Sequence, residues 1–163
     1  MANRLFVAVL GRRNSGKSST WNSLFGRTVR RGQYPRYLEV RPGEQVEVFL
    51  VSGSFEERKE YAGDILDDQN ARIVLCSIQY VEEVDQTIQY VVDKGFDIFI
   101  QWLNPGFSDS AEYYDRLGLE GRLLWKRATL SIRDGAAPLE PRVQEIREFI
   151  YGWARFRDLI GAT

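Results

Sequence analysis

From Arg4 to Leu10 the chain is almost continuously apolar, with little alternation, the pattern of a strand buried on both faces. Lys17 to Phe25 then has helical length and stops at Gly26, a residue that ends helices readily because it lacks a Cβ. Arg27 to Arg41 is polar and punctuated by Gly32 and Pro35, with Tyr37 to Val40 as a short strand. Pro42-Gly43 forms a turn, and Gln45 to Ser52 starts with alternation and becomes wholly apolar, so the two strands form a hairpin leading into a sheet. Ser54 to Asp67 is charged and predicts a short exposed helix or a loop. Ile73 to Ile78 is the next strand, and Val81, Val84, Ile88, Val91 and Val92 recur at helical spacing up to Gly95. Phe96 to Leu103 is a strand ending at Asn104-Pro105-Gly106. Asp109 to Leu117 reads as a helix that Leu119 to Arg127 continues after a break at Gly118. Ala128 to Ile132 is a short strand, and Pro141 to Ile160 is an amphipathic helix with Val143, Ile146, Ile150 and Trp153 on its apolar side and Gly161 as terminator.

Strands and helices alternate along the chain. Right-handed crossovers then place helices on both faces of a mainly parallel sheet, with the loops that bind ligands at the carboxyl ends of the strands. The expected architecture is a three-layer α/β/α sandwich of about six strands, one of them an antiparallel hairpin strand, in a single domain spanning 1–163.

Between the first strand and its helix lies Gly11-Arg-Arg-Asn14-Ser15-Gly16-Lys17-Ser18, a complete G-x-x-x-x-G-K-S sequence. In this setting the glycines let the backbone curl so that its N–H groups face an anion, and the helix start adds its positive end. Lys17 reaches β- and γ-phosphates, and the Ser18 hydroxyl supplies one position on Mg²⁺. The expected ligand is a nucleoside triphosphate, ATP or GTP, held by Gly11, Arg13, Asn14, Ser15, Gly16, Lys17, Ser18 and Ser19.

Composition narrows the chemistry. The chain has no histidine, which removes the commonest general base, His-containing zinc sites and Ser-His-Asp triads. Its one cysteine, Cys76, lies in an apolar strand and is expected to be a buried, inert thiol. A formal charge of −1 gives no general reason to expect nucleic acid or an anionic membrane as partner. No secretory signal or spanning segment is evident, so the expectation is a cytoplasmic protein.

The sequence Gly11-Arg-Arg-Asn14-Ser-Gly16-Lys17-Ser18-Ser19, with the following Trp21-Asn22-Ser-Leu24-Phe-Gly26, resembles the P-loop NTPases, and among them the small Ras-like GTPases of the translation-factor-related class. The resemblance covers about the first 26 residues closely and the order of elements loosely. It implies a P-loop NTPase fold, with Mg²⁺ and phosphates on the residues just named. The chain departs from that family at three places. Where the family has N-K-x-D, this chain has Gln101-Trp-Leu-Asn104-Pro-Gly106, with Asn104 as the nearest base contact and Ser131 to Gly135 on the base side. In place of D-x-x-G stands Val51-Ser52-Gly53-Ser54-Phe55-Glu56; Ser52 is a weaker metal partner than a carboxylate, so either Glu56 or Glu57 approaches the metal or Ser18 and phosphate oxygens hold most of it. Thr28 is the one threonine placed to close over it.

Arg27, Arg30, Arg31, Arg36 and Arg41 cluster after the first helix, and Arg12 and Arg13 lie in the loop itself, where guanidinium groups suit phosphate oxygens. The leading expectation is slow Mg²⁺-dependent hydrolysis resting on Lys17 and Glu56, with nucleotide ordering the loops at 27–41 and 53–68, through which a protein partner could dock. The alternatives are a small-molecule kinase using Glu56, Glu57 or Asp64 as base, and a GTPase-like interaction module without turnover.

Overall fold

The computed structural model describes residues 3–29, 35–51, 53–56, 58–67, 69–109 and 111–163. Strand β1 (Leu5–Gly11) is buried at every position. Its side chains divide between two cores, Phe6, Ala8 and Leu10 entering one and Leu5, Val7 and Val9 the other. Two-sided burial is therefore why the strand shows no alternation in sequence. It is followed by α1 (Lys17–Phe25), the hairpin β2 (Pro35–Arg41) and β3 (Glu44–Val51), then α2 (Ala62–Leu66), β4 (Ile73–Gln79) and α3 (Val84–Asp93). The chain continues through β5 (Asp97–Leu103), α4 (Leu119–Trp125), β6 (Thr129–Arg133), α5 (Leu139–Phe156) and β7 (Gly161–Ala162).

Among the described residues the sheet has seven strands in the order β2-β3-β4-β1-β5-β6, with β7 against β3. Strands β3, β4, β1, β5 and β6 run parallel, while β2 and β7 are antiparallel to β3. The fold is α/β with a mostly parallel mixed sheet. The expected count of about six strands grows by the two-residue β7, which also adds a second antiparallel strand. One core packs α2, α3 and α4 onto the sheet, through Leu66, Ile88 and Leu123 among others. The other packs α1, α5 and the hairpin, through Trp21, Ile146 and Leu38. No helix is long and apolar enough to cross a membrane among the described residues.

Two features of this frame position the site. Strand β4 lies between β1 and β3, and Gln79 at its end pairs in register with Gly11 at the end of β1. Helix α1 is fixed to β4 by Trp21, wholly buried, whose Nε1–H donates to Ser77 Oγ at 2.8 Å.

The structure differs from the sequence expectation in three segments. Residues 109 and 111–117 form no helix, and side chain–backbone hydrogen bonds hold the segment instead: Asn104, from outside it, takes the backbone groups of Tyr113. Asp109 Oδ2 accepts from Gly106 N, and Asp115 accepts the N–H groups of Leu119 and Glu120 at the start of α4. Helix α5 ends at Phe156 rather than Ile160, and Gly161 belongs to β7. The segment after β3 is not simply exposed: Ser54, Phe55, Ala62 and Leu66 are buried there.

Candidate functional site

The loop from Gly11 to Lys17 is built by backbone geometry. Gly16 sits at φ +104 as the residue before α1, a conformation that glycine adopts without strain, and Asn14 takes φ +59. Gly11 is needed for space, since a Cβ there would lie 2.2 Å from Ser15 Oγ. The start of α1 has no side-chain cap hydrogen bond and no acidic residue in its first turn, so its positive end is left for an outside anion. Lys17 is only 7% exposed and folds back over the loop, its Nζ donating to the carbonyls of Gly11 at 3.1 Å and Arg12 at 2.9 Å. In that position its charge faces the same concavity as the helix start.

That concavity is a cavity of about 920 Å³. Of the residues expected to bind phosphate, Arg13, Asn14, Ser15, Gly16, Lys17, Ser18 and Ser19 line it, while Gly11 is buried behind them. Gly53, Glu56, Gln79, Phe107 and Ser108 complete the wall. The fold thus brings Glu56 to the loop over the end of β4. Its carboxylate accepts the Gln79 N–H at 2.7 Å and the Thr87 hydroxyl at 3.0 Å. Burial raises the Glu56 pKa above its ordinary value, against the pull of the Gln79 N–H, its own backbone N–H, Thr87 and the Lys17 charge.

Beside this cavity, and sharing Arg13 and Gln79 with it, is a cleft of about 360 Å³ lined also by Arg12, Tyr80, Asp109, Tyr113 and Arg116. Arg12 lies over the Tyr113 ring, 3.6 Å from its centroid. Tyr80 stacks on Trp102 and donates its hydroxyl to Asp115, and burial with that hydrogen bond pushes its pKa up to about 12.

Other expected residues are placed elsewhere. Asn104 is 6% exposed and holds Tyr113 with its carboxamide, donating to the Tyr113 carbonyl at 2.9 Å and accepting its N–H at 2.7 Å. In the Ser131 to Gly135 segment, Arg133 pairs with Glu145 and Asp134 accepts the Ala136 N–H. Thr28 and Arg27 are exposed and outside the cavity, Arg36 is buried, Arg41 pairs with Glu148, and Asp64 is exposed on α2. Residues 35–41 of the first expected docking loop are strand β2. Arg30, Arg31, Gly32, Ser52 and Glu57 lie outside the described residues. Cys76 is wholly buried, and burial pushes its thiol pKa well up, which keeps it unreactive.

One basic residue at the site was not expected. Arg142 of α5 is 3% exposed, and its Nη1 donates to Thr20 Oγ1 at 2.6 Å and to Gln101 Oε1 at 3.3 Å. Its Nε and Nη2 have no hydrogen-bond partner, and burial lowers its pKa. A Cβ on Gly16 would lie 3.6 Å from Nη2, so this cation sits directly behind the start of α1. A buried cation beside a positive helix end is unfavourable until an anion arrives. Arg142→Met is therefore expected to leave the stability of the ligand-free protein within about 1 kcal/mol or raise it. The same change is expected to weaken tripolyphosphate binding roughly tenfold through loss of a nearby charge. Thermal melts with and without tripolyphosphate check this; equal loss of stability and binding would make Arg142 a purely structural residue.

No protein-family model matches the chain, and no curated protein is significantly similar to it. As metal donors the cavity offers the Ser18 hydroxyl, exposed at the start of α1, and the Glu56 carboxylate. Among the described residues no group of three or more His, Cys, Asp or Glu could hold a metal ion. Such a sparse oxygen set does not make a resident site, but it fits Mg²⁺ carried in by phosphate oxygens, which keeps most of its waters and takes one or two protein ligands.

Proposed function

We propose that this chain is a P-loop NTPase-type domain that binds a nucleoside triphosphate, ATP or GTP, together with Mg²⁺, and hydrolyses it slowly. The observation that carries the reading is one cavity shared by three groups: the uncapped start of α1, the folded-back Lys17 and a partly buried carboxylate, Glu56. The first two suit a polyphosphate, and the third suits a water molecule at its end.

In this reading the amides at the start of α1 and Lys17 hold the β- and γ-phosphates, and Arg13 at the rim adds a charge-assisted contact. Mg²⁺, if held by Ser18 and the phosphate oxygens, would neutralise charge on those oxygens. Glu56 takes a proton from the attacking water, for which its raised pKa suits it. Lys17 stabilises charge on the departing diphosphate. Gly53 and Glu56, which line the cavity after β3, would respond to the bound nucleotide.

A second reading, phosphoryl transfer to an anionic small-molecule acceptor, is favoured by the cleft that shares Arg13 and Gln79 with the cavity and adds Arg12 and Arg116. Calorimetric titration with ATP, GTP, their diphosphates and tripolyphosphate, with and without Mg²⁺, tests the phosphate site. Mg²⁺-dependent binding of triphosphates more tightly than diphosphates is expected; no binding of any of them at millimolar concentration would overturn the proposal. Phosphate release on incubation separates hydrolysis from an interaction module, which would bind without turnover.

A further inference from the structure

The cavity over the Gly11–Lys17 loop has two unlike ends. Gly53, Glu56 and Gln79 form one, reached from β3 and β4, and Phe107 and Ser108 form the other, just beyond β5. A nucleoside triphosphate is equally lopsided, a polyanion at one end and a flat aromatic ring at the other.

Phe107 is 66% exposed, an unusual place for a phenyl ring, yet the backbone that carries it is held tightly. Its N–H donates to the Ser15 carbonyl at 2.9 Å, and the Gly135 N–H donates to the Pro105 carbonyl at 2.7 Å. The neighbouring glycines press against the same place: a Cβ on Gly106 would lie 2.7 Å from Ser15 Cβ, and one on Gly135 would lie 2.7 Å from the Ser15 carbonyl oxygen and 2.8 Å from Phe107 N. The ring is thus exposed on a mount packed directly against the phosphate loop. That is a preorganised surface for stacking.

Groups able to read the edge of a base are, by contrast, engaged nearby. Asn104 is committed to Tyr113. Asp109 accepts the Gly106 N–H and the Tyr113 hydroxyl, and Asp134 accepts the Ala136 N–H. Phe107 adds a π face at this end of the cavity, and every base has one to stack on it.

We infer that Phe107 is the platform on which the nucleobase stacks, with the terminal phosphate directed toward Glu56, and that the site takes adenine and guanine nucleotides with little preference between them. The inference rests on the triphosphate reading above, and the test separates the two. Wild type, Phe107→Ala and Phe107→Trp are titrated with ATP, GTP and inorganic tripolyphosphate, each with Mg²⁺. ATP and GTP are expected to bind the wild type within about threefold of one another, and Phe107→Ala to weaken both about tenfold while tripolyphosphate affinity stays unchanged. Phe107→Trp should restore nucleotide binding, with emission quenched by ATP and not by tripolyphosphate. Unchanged ATP and GTP affinity in Phe107→Ala alongside intact tripolyphosphate binding would overturn the platform alone, as would discrimination between ATP and GTP beyond about thirtyfold, which lies within the range of a bidentate hydrogen bond to a base edge. Failure of tripolyphosphate to bind the wild type would overturn the phosphate site and the inference with it.

Discussion

Lys17→Met is expected to remove measurable triphosphate binding while leaving the protein folded. The lysine is 7% exposed and donates to two carbonyls of its own loop, so its ammonium is held where a phosphate would meet it rather than left to wander in solvent. Truncating such a buried, hydrogen-bonded charge costs a ligand of opposite sign roughly 2–5 kcal/mol, an affinity loss of about thirty- to several-thousand-fold. Methionine keeps the length and apolar stem of the side chain, so the loop stays packed and the Gly11 and Arg12 carbonyls turn to water. Calorimetry with tripolyphosphate and a thermal melt of the free variant check the two halves of the statement. Wild-type affinity in a folded Lys17→Met protein would remove Lys17 from the site.

Glu56→Gln is expected to preserve nucleotide affinity within a fewfold and to lower turnover about 10²- to 10⁴-fold, the usual contribution of a general base. The substitution is gentle because the carboxamide satisfies both existing partners, its oxygen accepting the Gln79 N–H and its NH₂ donating to Thr87 Oγ1. Only the proton-accepting ability is lost. Wild-type turnover should rise with pH through a value above the ordinary carboxylate range, since burial holds the Glu56 pKa up, whereas the residual rate of the variant should be flat there. Stability carries the same signature with opposite sense. The folded chain holds this proton more tightly than the unfolded chain, so the contribution is fully present below the ordinary glutamate pKa and is lost as pH rises through the raised folded value. Urea unfolding at mildly acid and neutral pH should therefore show wild type losing ground to Glu56→Gln as pH rises. Full turnover in the variant would reduce Glu56 to a structural link between the segment after β3 and the end of β4.

The parts of the site legible in the sequence were those in one contiguous run. The turn from Gly11 into α1 follows from the run itself, and Gly16, Lys17 and the end of α1 at Gly26 lie where the pattern put them. Glu56 was legible only as one carboxylate among several in a charged stretch, because its approach depends on where β4 sits in the sheet, a matter of tertiary pairing. The bonds from Asn104 to the backbone of Tyr113 leave no mark in sequence, because they join a strand end to a later loop through the fold. Arg142 left a faint one: it stands four residues before Ile146, on the apolar side of α5, where an arginine needs a reason. In the segment expected as a helix over 109–117, Asn104 takes both backbone groups of Tyr113 and Asp115 serves the start of α4, contacts that apolar spacing does not report.

The cavity wall is assembled from chain positions as far apart as Arg13 and Ser108, carried by the ends of β1, β3, β4 and β5, with Arg142 of α5 behind it. Every one of those strands must be in register before the wall exists, so partial unfolding of any of them dismantles it. By thermodynamic linkage, a ligand at a hundred times its dissociation constant would add about 2.7 kcal/mol to the folding of the whole chain rather than to one part of it. Occupancy and global integrity are one equilibrium here, and the ligand serves as a reporter of the complete fold.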